Sequence, residues 1–341
     1  MTGENPIRLG LLGCADIAPR RILPAVSATP GIDLVAVASR GLAKARTVAE
    51  RHGATAVEGY ERLLERDDVD AVYLPLPPGL HAPWVRRALM AGKHVLAEKP
   101  LTTSLADTLE LTALARATGR VLRENFMFVH HCQHEHVRRL LADGAVGRPR
   151  LFSAAFAIPR RPPGDIRYDP ELGGGALVDV GGYPLRAAQL VLGPGFRVTG
   201  AALRHESALG VDTGGTALIS YGDGVLGQLS FGLDHRYTSR YSILGDTGRL
   251  TLEHVFTTPA GHRPVVRIDR QDHQEELVLP ADDQCANAIA AFAHAVRHGP
   301  AHDDTIRVQA EAVDRLRRHA TAQDDDTHKD TTARPNGAPN G

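Results

Sequence analysis

Apolar residues along the chain follow two rhythms, with a change near Asn125. From Ile7 to Glu124, short continuous apolar runs, of the kind that parallel strands covered on both faces require, alternate with stretches of helical spacing. The runs predict strands at Ile7 to Leu12, Asp33 to Ala38, Ala54 to Val57, Ala71 to Leu74, His94 to Ala97 and Arg120 to Arg123. Between them the spacing predicts helices over Ala18 to Ala28, Leu42 to His52, Tyr60 to Leu64 and Ala82 to Met90, the last with Gly92 past its end as a C-cap. A fifth helix begins at Ser104, whose spacing to Asp107 suits a capping box. This alternation predicts an α/β unit, a Rossmann-type doubly wound parallel sheet over residues 1–124.

After Asn125 the runs shorten and tight turns join them. A helix around Glu135 to Ala142 is followed by predicted strands at Arg150 to Ile158, Arg197 to Arg204, Gly214 to Tyr221, Val225 to Leu233, Tyr241 to Leu244, Arg249 to Leu252, Val265 to Asp269 and Glu275 to Leu279. Turns such as Tyr221-Gly222-Asp223-Gly224 and Gly245-Asp246-Thr247-Gly248 predict an open, mostly antiparallel sheet in an α+β domain over residues 125–322. The alternation in Gly227-Gln228-Leu229-Ser230-Phe231 gives that sheet two unlike faces, one to cover helices and one to meet a partner subunit. Helices return over Asp283 to Arg297 and Thr305 to Ala320. Residues 323–341, rich in Asp, Thr, Pro, Asn and Gly, are expected to be a disordered tail.

Composition narrows the function classes. The 341 residues are 43% hydrophobic and 23% charged, enough for two cores. With 39 Lys plus Arg against 40 Asp plus Glu, the net charge of -1 gives no reason to expect nucleic acid or a membrane surface as partner. Cys14, Cys132 and Cys285 are odd in number, widely spaced and without a Cys-x-x-Cys pair, which suggests neither a disulfide framework nor a zinc knuckle. A reducing cytoplasm fits this best. The first strand follows the amino terminus too closely for a signal sequence, and no apolar run approaches the ~18 residues of a membrane helix.

Chemistry enters at two strand ends. Gly13-Cys14-Ala15-Asp16-Ile17-Ala18 follows the first strand and matches G-x-G-x-x-G/A with Ala15 at the middle position. There a backbone can approach a pyrophosphate and the next helix offers free N–H groups. At the end of the second strand, where an acidic residue would accept the ribose hydroxyls of NAD, stand Ser39 and Arg40, with Lys44 one helical turn on. A hydroxyl and cations there favour the 2'-phosphate of NADP. The fifth strand ends on Glu98-Lys99-Pro100, which puts Lys99 where a doubly wound sheet binds its ligand and lets Pro100 fix a bend. By itself that tripeptide reads rather as a solvated Glu-Lys pair at a strand end, since both residue types are mostly found at the surface.

Together these pieces resemble the glucose-fructose oxidoreductase, inositol dehydrogenase and rhizopine catabolism family of oxidoreductases. The resemblance runs from Ile7 to about Ala320. It rests on the glycine turn, on PLPPGLHAPWVRRALMAGKHVLAEKP at 75 to 100 and on ELGGGALVDVGGYPLRAAQLVLG at 171 to 193. The family's usual Asp-x-Gly-x-His-x-x-Asp becomes Asp179, Gly181, Tyr183 and Arg186, so tyrosine replaces the acid-base histidine. GCADIAPRRILPA at 13 to 25 and ENFMFVHHCQH at 124 to 134 look most like the sugar-nucleotide 3-ketoreductases of deoxysugar biosynthesis. The resemblance implies reduction, with NADPH, of the 3-keto group of a TDP-3,4-diketo-2,6-dideoxyhexose, and a homodimer or homotetramer through the open sheet.

A ketone accepting hydride needs a donor at its oxygen. The expected catalytic pair is Lys99 and Tyr183, the ammonium lowering the phenol's pKa and polarising the carbonyl while Tyr183 gives the proton; a variant gives the proton to Lys99. His81 and Asn125 are expected at the ribose or nicotinamide, Arg167 near the cofactor and Asp179 orienting the site. Tyr60, Leu76 and Glu98 complete the expected cofactor contacts. Arg20 and Arg240 are expected at the substrate diphosphate, with Lys99 and Tyr183 at the sugar. No metal is expected at His130, His131, Cys132, His134 and His136, despite their i,i+4 spacing. Two other functions share these residues or this fold: an NADP-dependent aldose 1-dehydrogenase acting on xylose or glucose, and a non-catalytic protein that senses NADP.

Overall fold

In the computed structural model, which describes residues 5–299 and 304–332, the first sheet is made of six parallel strands. They are β1 (Ile7–Leu12), β2 (Ile32–Ser39), β3 (Thr55–Glu58), β4 (Ala71–Leu74), β5 (His94–Ala97) and β6 (Leu122–Glu124), in the order β3-β2-β1-β4-β5-β6. Direction of winding reverses between β1 and β4, so a crevice opens at the strand ends there. All of β4 and all of β5 except His94 are buried, which explains the continuous apolar runs. The helices are α1 (Leu23–Ala28), α2 (Leu42–Ala49), α3 (Tyr60–Leu64), α4 (His81–Met90) and α5 (Leu105–Thr118). One helix was expected over Ala18 to Ala28; instead Ala18–Ile22 forms a wider π-type turn ahead of α1. Pro24 has no N–H to continue a regular ladder across this point. Ser104 caps α5, its hydroxyl accepting from Asp107 N–H at 3.3 Å, and Gly92, just past α4, has φ +73°.

The second sheet has eight strands: β7 (Pro149–Ala157), β8 (Arg197–Glu206), β9 (Val211–Ser220), β10 (Leu226–Gly232), β11 (Thr238–Gly245), β12 (Gly248–Glu253), β13 (Val265–Arg270) and β14 (Gln274–Val278). Their order is β14-β13-β12-β11-β7-β10-β9-β8, antiparallel except for the parallel pair β7 and β10. Helices α6 (Cys132–Ala142) and α7 (Gly182–Leu192) supply residues to the core on one face, which includes Phe152, Tyr241 and Ile243. Among the described residues the other face stays open. On β11 the two faces alternate residue by residue, with Ser239, Tyr241 and Ile243 buried and Arg240 and Leu244 exposed.

Residues 1–124 and 125–322 are less separate than the sequence suggests. Helix α8 (Gln284–His298) puts Cys285, Ile289 and Phe292 into the core of the first sheet beside Leu9, Ile22 and Val37. Helix α9 (Thr305–Thr332) buries Ile306 with Leu101 and Leu111 of the first unit and Leu316 in the core of the second. It also runs beyond Gln323, so the expected tail is helical to Thr332, a stretch with neither Pro nor Gly to end it. Residues 333–341 of that tail lie outside the described residues.

Two stretches of motif glycine meet where the units join. Gly79 N–H donates to the Leu172 carbonyl at 2.9 Å, and a Cβ on Gly79 would stand 2.6 Å from the carbonyl oxygen of Glu171. Only glycine lets these backbones approach so closely. No helix among the described residues is long and apolar enough to cross a membrane.

Candidate active site

At the carboxyl ends of β1 and β2 the chain builds a seat for a dinucleotide. Gly13, at φ +107°, donates its N–H to the Ala38 carbonyl at 3.0 Å, and a Cβ there would fall 2.6 Å from Leu76 Cδ2 and 3.9 Å from the Tyr60 hydroxyl. Glycine therefore brings β1, Leu76 and Tyr60 to one point. Helical hydrogen bonding begins with Ala18 N–H on the Ala15 carbonyl, which leaves the N–H groups around Ala15, Asp16 and Ile17 ahead of the ladder, as anion binding requires. Ser39 is buried at the end of β2, and Arg40 and Lys44 are exposed beside it. Burial pushes the Tyr60 phenol up while Arg40 pulls it down, and Lys44 acts likewise on the buried Cys14 thiol, so both cations face the glycine turn. With a hydroxyl and two cations at the strand end, these residues fit a dinucleotide carrying a 2'-phosphate.

From this seat a cleft of about 510 Å³ runs between the two units. Lys99, joined to Pro100 by a cis peptide, reaches across it and donates to Asp179 twice, to the carbonyl at 2.7 Å and to Oδ1 at 2.9 Å. Asp179 Oδ2 accepts from Arg167 Nε at 2.7 Å, and Arg167 Nη1 donates to Asp165 at 3.0 Å. Burial alone would lower the lysine's pKa. Asp179 first, then Tyr183 and Glu98, outweigh burial and hold the ammonium above its ordinary value. For the Asp179 carboxyl, burial pushes up but Lys99 and Arg167 bring it down to about 2. Arg167 is likewise raised, Asp179 and Asp165 overcoming its burial. Lys99 and Asp179 thus stay ionised at neutral pH, and Arg167 with them.

Tyr183 sits in the second turn-like element of the motif at 171 to 193. It follows a π-type turn over Leu177–Gly181 and stands at the start of α7. Its ring is wrapped by Phe126, Phe156 and Phe256, with centroids 5.1, 4.7 and 5.5 Å away. Lys99 Nζ lies over the ring face, 5.1 Å from its centroid. The expected lowering of the phenol's pKa is not what this setting produces. Burial is the largest influence and lifts it to about 12 despite Lys99. Tyr183 therefore keeps its proton.

Several expected contacts fall elsewhere. His81 is fully buried, Nε2 2.7 Å from the Leu76 carbonyl and Nδ1 2.9 Å from that of Pro100, so it brackets two loops and has no ring nitrogen left for a ribose or nicotinamide. Asn125 is buried behind Glu98, to whose Oε1 it donates at 2.7 Å, as does the Tyr73 hydroxyl at 2.8 Å. It supports Glu98, which lines the cleft. Arg240 is on the open face of the second sheet, the side away from Tyr241 and the core, so it is no substrate contact in this cleft. Arg20 does line the cleft, in an exposed ion pair with Asp16 at 3.1 Å. In the histidine-rich segment, His131 Nδ1 accepts from Gln133 N–H at 3.1 Å and Asp282 Oδ2 from Cys132 N–H at 2.7 Å. These lone pairs cap α6, although His131, Cys132 and Asp282 lie within 4.8 Å of one another. All three cysteines are free thiols.

Asp165, Phe156, Phe256 and Arg161 also line the site or brace it, and none stands in a motif. The only hint of Asp165 was its position two residues before Arg167.

Comparison with known proteins gives a consistent result. Residues 7–126 match an oxidoreductase family with an NAD-binding Rossmann fold, and residues 134–251 match the GFO/IDH/MocA C-terminal domain. A dTDP-3,4-didehydro-2,6-dideoxy-alpha-D-glucose 3-reductase from Actinomadura kijaniata is 54% identical over 92% of this chain and 95% of its own length. One of the same name from Streptomyces violaceoruber is 55% identical over 92% and 95%. The crystal structure of a 3-ketoreductase from Actinomadura kijaniata in complex with NADP and TDP-benzene superposes with a TM-score of 0.90 at 53% identity, covering 92% of this chain and 98% of that one.

Proposed function

We infer, from the premise that the chain belongs to the glucose-fructose oxidoreductase, inositol dehydrogenase and rhizopine catabolism family, that it reduces the C-3 keto group of a TDP-3,4-diketo-2,6-dideoxyhexose with NADPH. The observation that carries this reading is an ammonium charged at neutral pH and a phenol that keeps its proton, facing one cleft beside a seat suited to NADP. The bound cofactor supplies the hydride. What the chain supplies is reception of the charge. Two of the three N–H groups of Lys99 are engaged by Asp179, and the third is left for the ketone oxygen, where it meets the developing alkoxide and gives it a proton. Tyr183 donates a second hydrogen bond to that oxygen, its ring held in place by the surrounding phenylalanines. The apolar ring wall suits a sugar stripped of hydroxyls.

Oxidation of a free aldose would need a base to take the hydroxyl proton. Neither Lys99 nor Tyr183 has lost its proton at neutral pH, which favours reduction. A protein that only senses NADP would have no use for the Lys99, Asp179 and Arg167 chain. Within this reading the enzyme is cytoplasmic and a homodimer or homotetramer, its copies pairing through the open face of the second sheet.

The test is NADPH oxidation with a TDP-diketo sugar generated in situ, against xylose or glucose with NADP. The expected result is consumption with the nucleotide sugar, falling by about 10³ in Lys99→Ala, where a charge on the alkoxide is lost, and by roughly tenfold in Tyr183→Phe, where a neutral donor is lost. NADP reduction by an aldose with no reaction of the nucleotide sugar would overturn it. So would two variants that bind NADPH and keep full turnover.

A further inference from the structure

We propose that Arg161 grips the diphosphate of the substrate, an inference that rests on the reading of the substrate as a TDP-sugar. The segment after β7 that carries Arg161 is tied down by its backbone. Ile158 N–H donates to the Gly232 carbonyl at 3.0 Å and His235 N–H to the Ile158 carbonyl at 3.1 Å. Arg161 N–H donates to the Tyr168 hydroxyl at 2.9 Å, which in turn donates to the Leu233 carbonyl at 3.3 Å. Adjacent side chains of this segment diverge. Arg160 pairs with Glu206 at 2.8 Å, while Arg161 lines the cleft.

Among the described residues Arg161 makes no ion pair. Of the other guanidiniums of the cleft wall, Arg167 is held by Asp165 and Asp179 and Arg20 by Asp16, while Arg21 on the opposite wall shares with Arg161 the lack of an ion pair among the described residues. Arg167 is thereby committed to the carboxylate that also holds Lys99. Arg161 stands on the wall given by the second unit, and Arg20 and Arg21 on the wall given by the first. A polyanion entering between them meets cations on both sides, and the planar guanidinium fork matches two phosphate oxygens at once. A ketone bound at Lys99 needs no such cation. A nucleoside diphosphate attached to the sugar does. Arg161 thus takes the place at the diphosphate that sequence reasoning assigned to Arg240.

The experiment is calorimetric titration of TDP into the NADP-loaded enzyme. Wild type is expected to bind, Arg161→Met to bind about 10- to 100-fold more weakly, the scale of charge-assisted hydrogen bonds to phosphate, and Arg161→Lys to recover part of the loss. Arg160→Met is expected to bind TDP as wild type does. Affinity for NADP should be unchanged in all three variants, and KM for the TDP-sugar should rise in Arg161→Met with kcat retained. Equal TDP affinity in wild type and Arg161→Met overturns the proposal, as does a parallel loss of NADP affinity in Arg161→Met and Arg161→Lys. Absence of TDP binding to wild type overturns the TDP-sugar reading itself, and is seen before any substitution is made.

Discussion

Asp179 touches Lys99 through its main chain and its side chain and Arg167 through its second oxygen, so with Asp165 four charges cancel inside the cleft wall. The lysine's charge depends on that arrangement, because burial works against it and Asp179 is the largest opposing influence. Its folded pKa is raised, so the ammonium is present at all lower pH and is lost only above that value. Asp179→Asn removes the support and leaves burial in place. The expected outcome is a kcat/KM profile whose alkaline limb moves to lower pH than in wild type, while NADPH affinity at pH 6 to 7 changes little. A superimposable profile would detach Lys99 from Asp179. At this scale the sequence showed Lys99, Tyr183 and Asp179, because each stands in a motif with fixed spacing. It did not show Phe156, Phe256, Asp165 or Arg161, which come from segments without periodicity and meet only in the fold. Arg240 was misplaced although the strand pattern around it was informative. Tyr241 next to it is apolar and buried, so Arg240 had to point to the opposite face.

Elements carry the cofactor seat. Strand β2 ends on buried Ser39, and α2 begins at Leu42, which places Arg40 and Lys44 at one edge of the glycine turn. Arg40→Asp puts a carboxylate where a 2'-phosphate would lie. It is expected to weaken NADPH binding by about 1.5–3 kcal/mol, the worth of hydrogen bonds to a charged group, and to improve NADH relative to NADPH. Fluorescence titration of both cofactors checks this; an unchanged preference would place the phosphate elsewhere. Most strands and helices were readable from apolar runs and capping residues, since those follow from local chain geometry. What could not be read was why Gly79 and Gly173 stand in two separate motifs. A Cβ on Gly173 would lie 2.8 Å from Gly79 N, and a close approach between backbones leaves no mark on either segment taken alone.

In the molecule as a whole, the second sheet has one face that no layer of helices covers among the described residues. Leu218, Leu226 and Leu244 are exposed there by 51%, 57% and 45% among polar neighbours such as Gln228, Ser242 and Thr251. Exposed leucines on the uncovered face of an eight-stranded sheet suit pairing with a second copy. Sedimentation should give a dimer or tetramer for wild type and a smaller species for Leu218→Glu combined with Leu244→Glu, with NADPH affinity kept. A wild-type monomer at micromolar concentration would remove this face as an interface. A change of rhythm near Asn125 was legible in the sequence, but the return of the chain to the first sheet was not. Apolar spacing in Asp283 to Arg297 shows that a helix has a buried face and does not show what buries it.

That return has a consequence for how the protein comes into being. Helix α8 fills the core beneath β1 and the start of α1 with Ile289 and Phe292, both almost fully buried. A ribosome delivers the chain from its amino end, and domains ordinarily close as they emerge. Here the six-stranded sheet emerges first yet waits for the whole eight-stranded sheet to be synthesised before its own interior is complete. The nucleotide seat and the substrate cleft therefore mature together, and a chain cut anywhere before α8 leaves both unfinished.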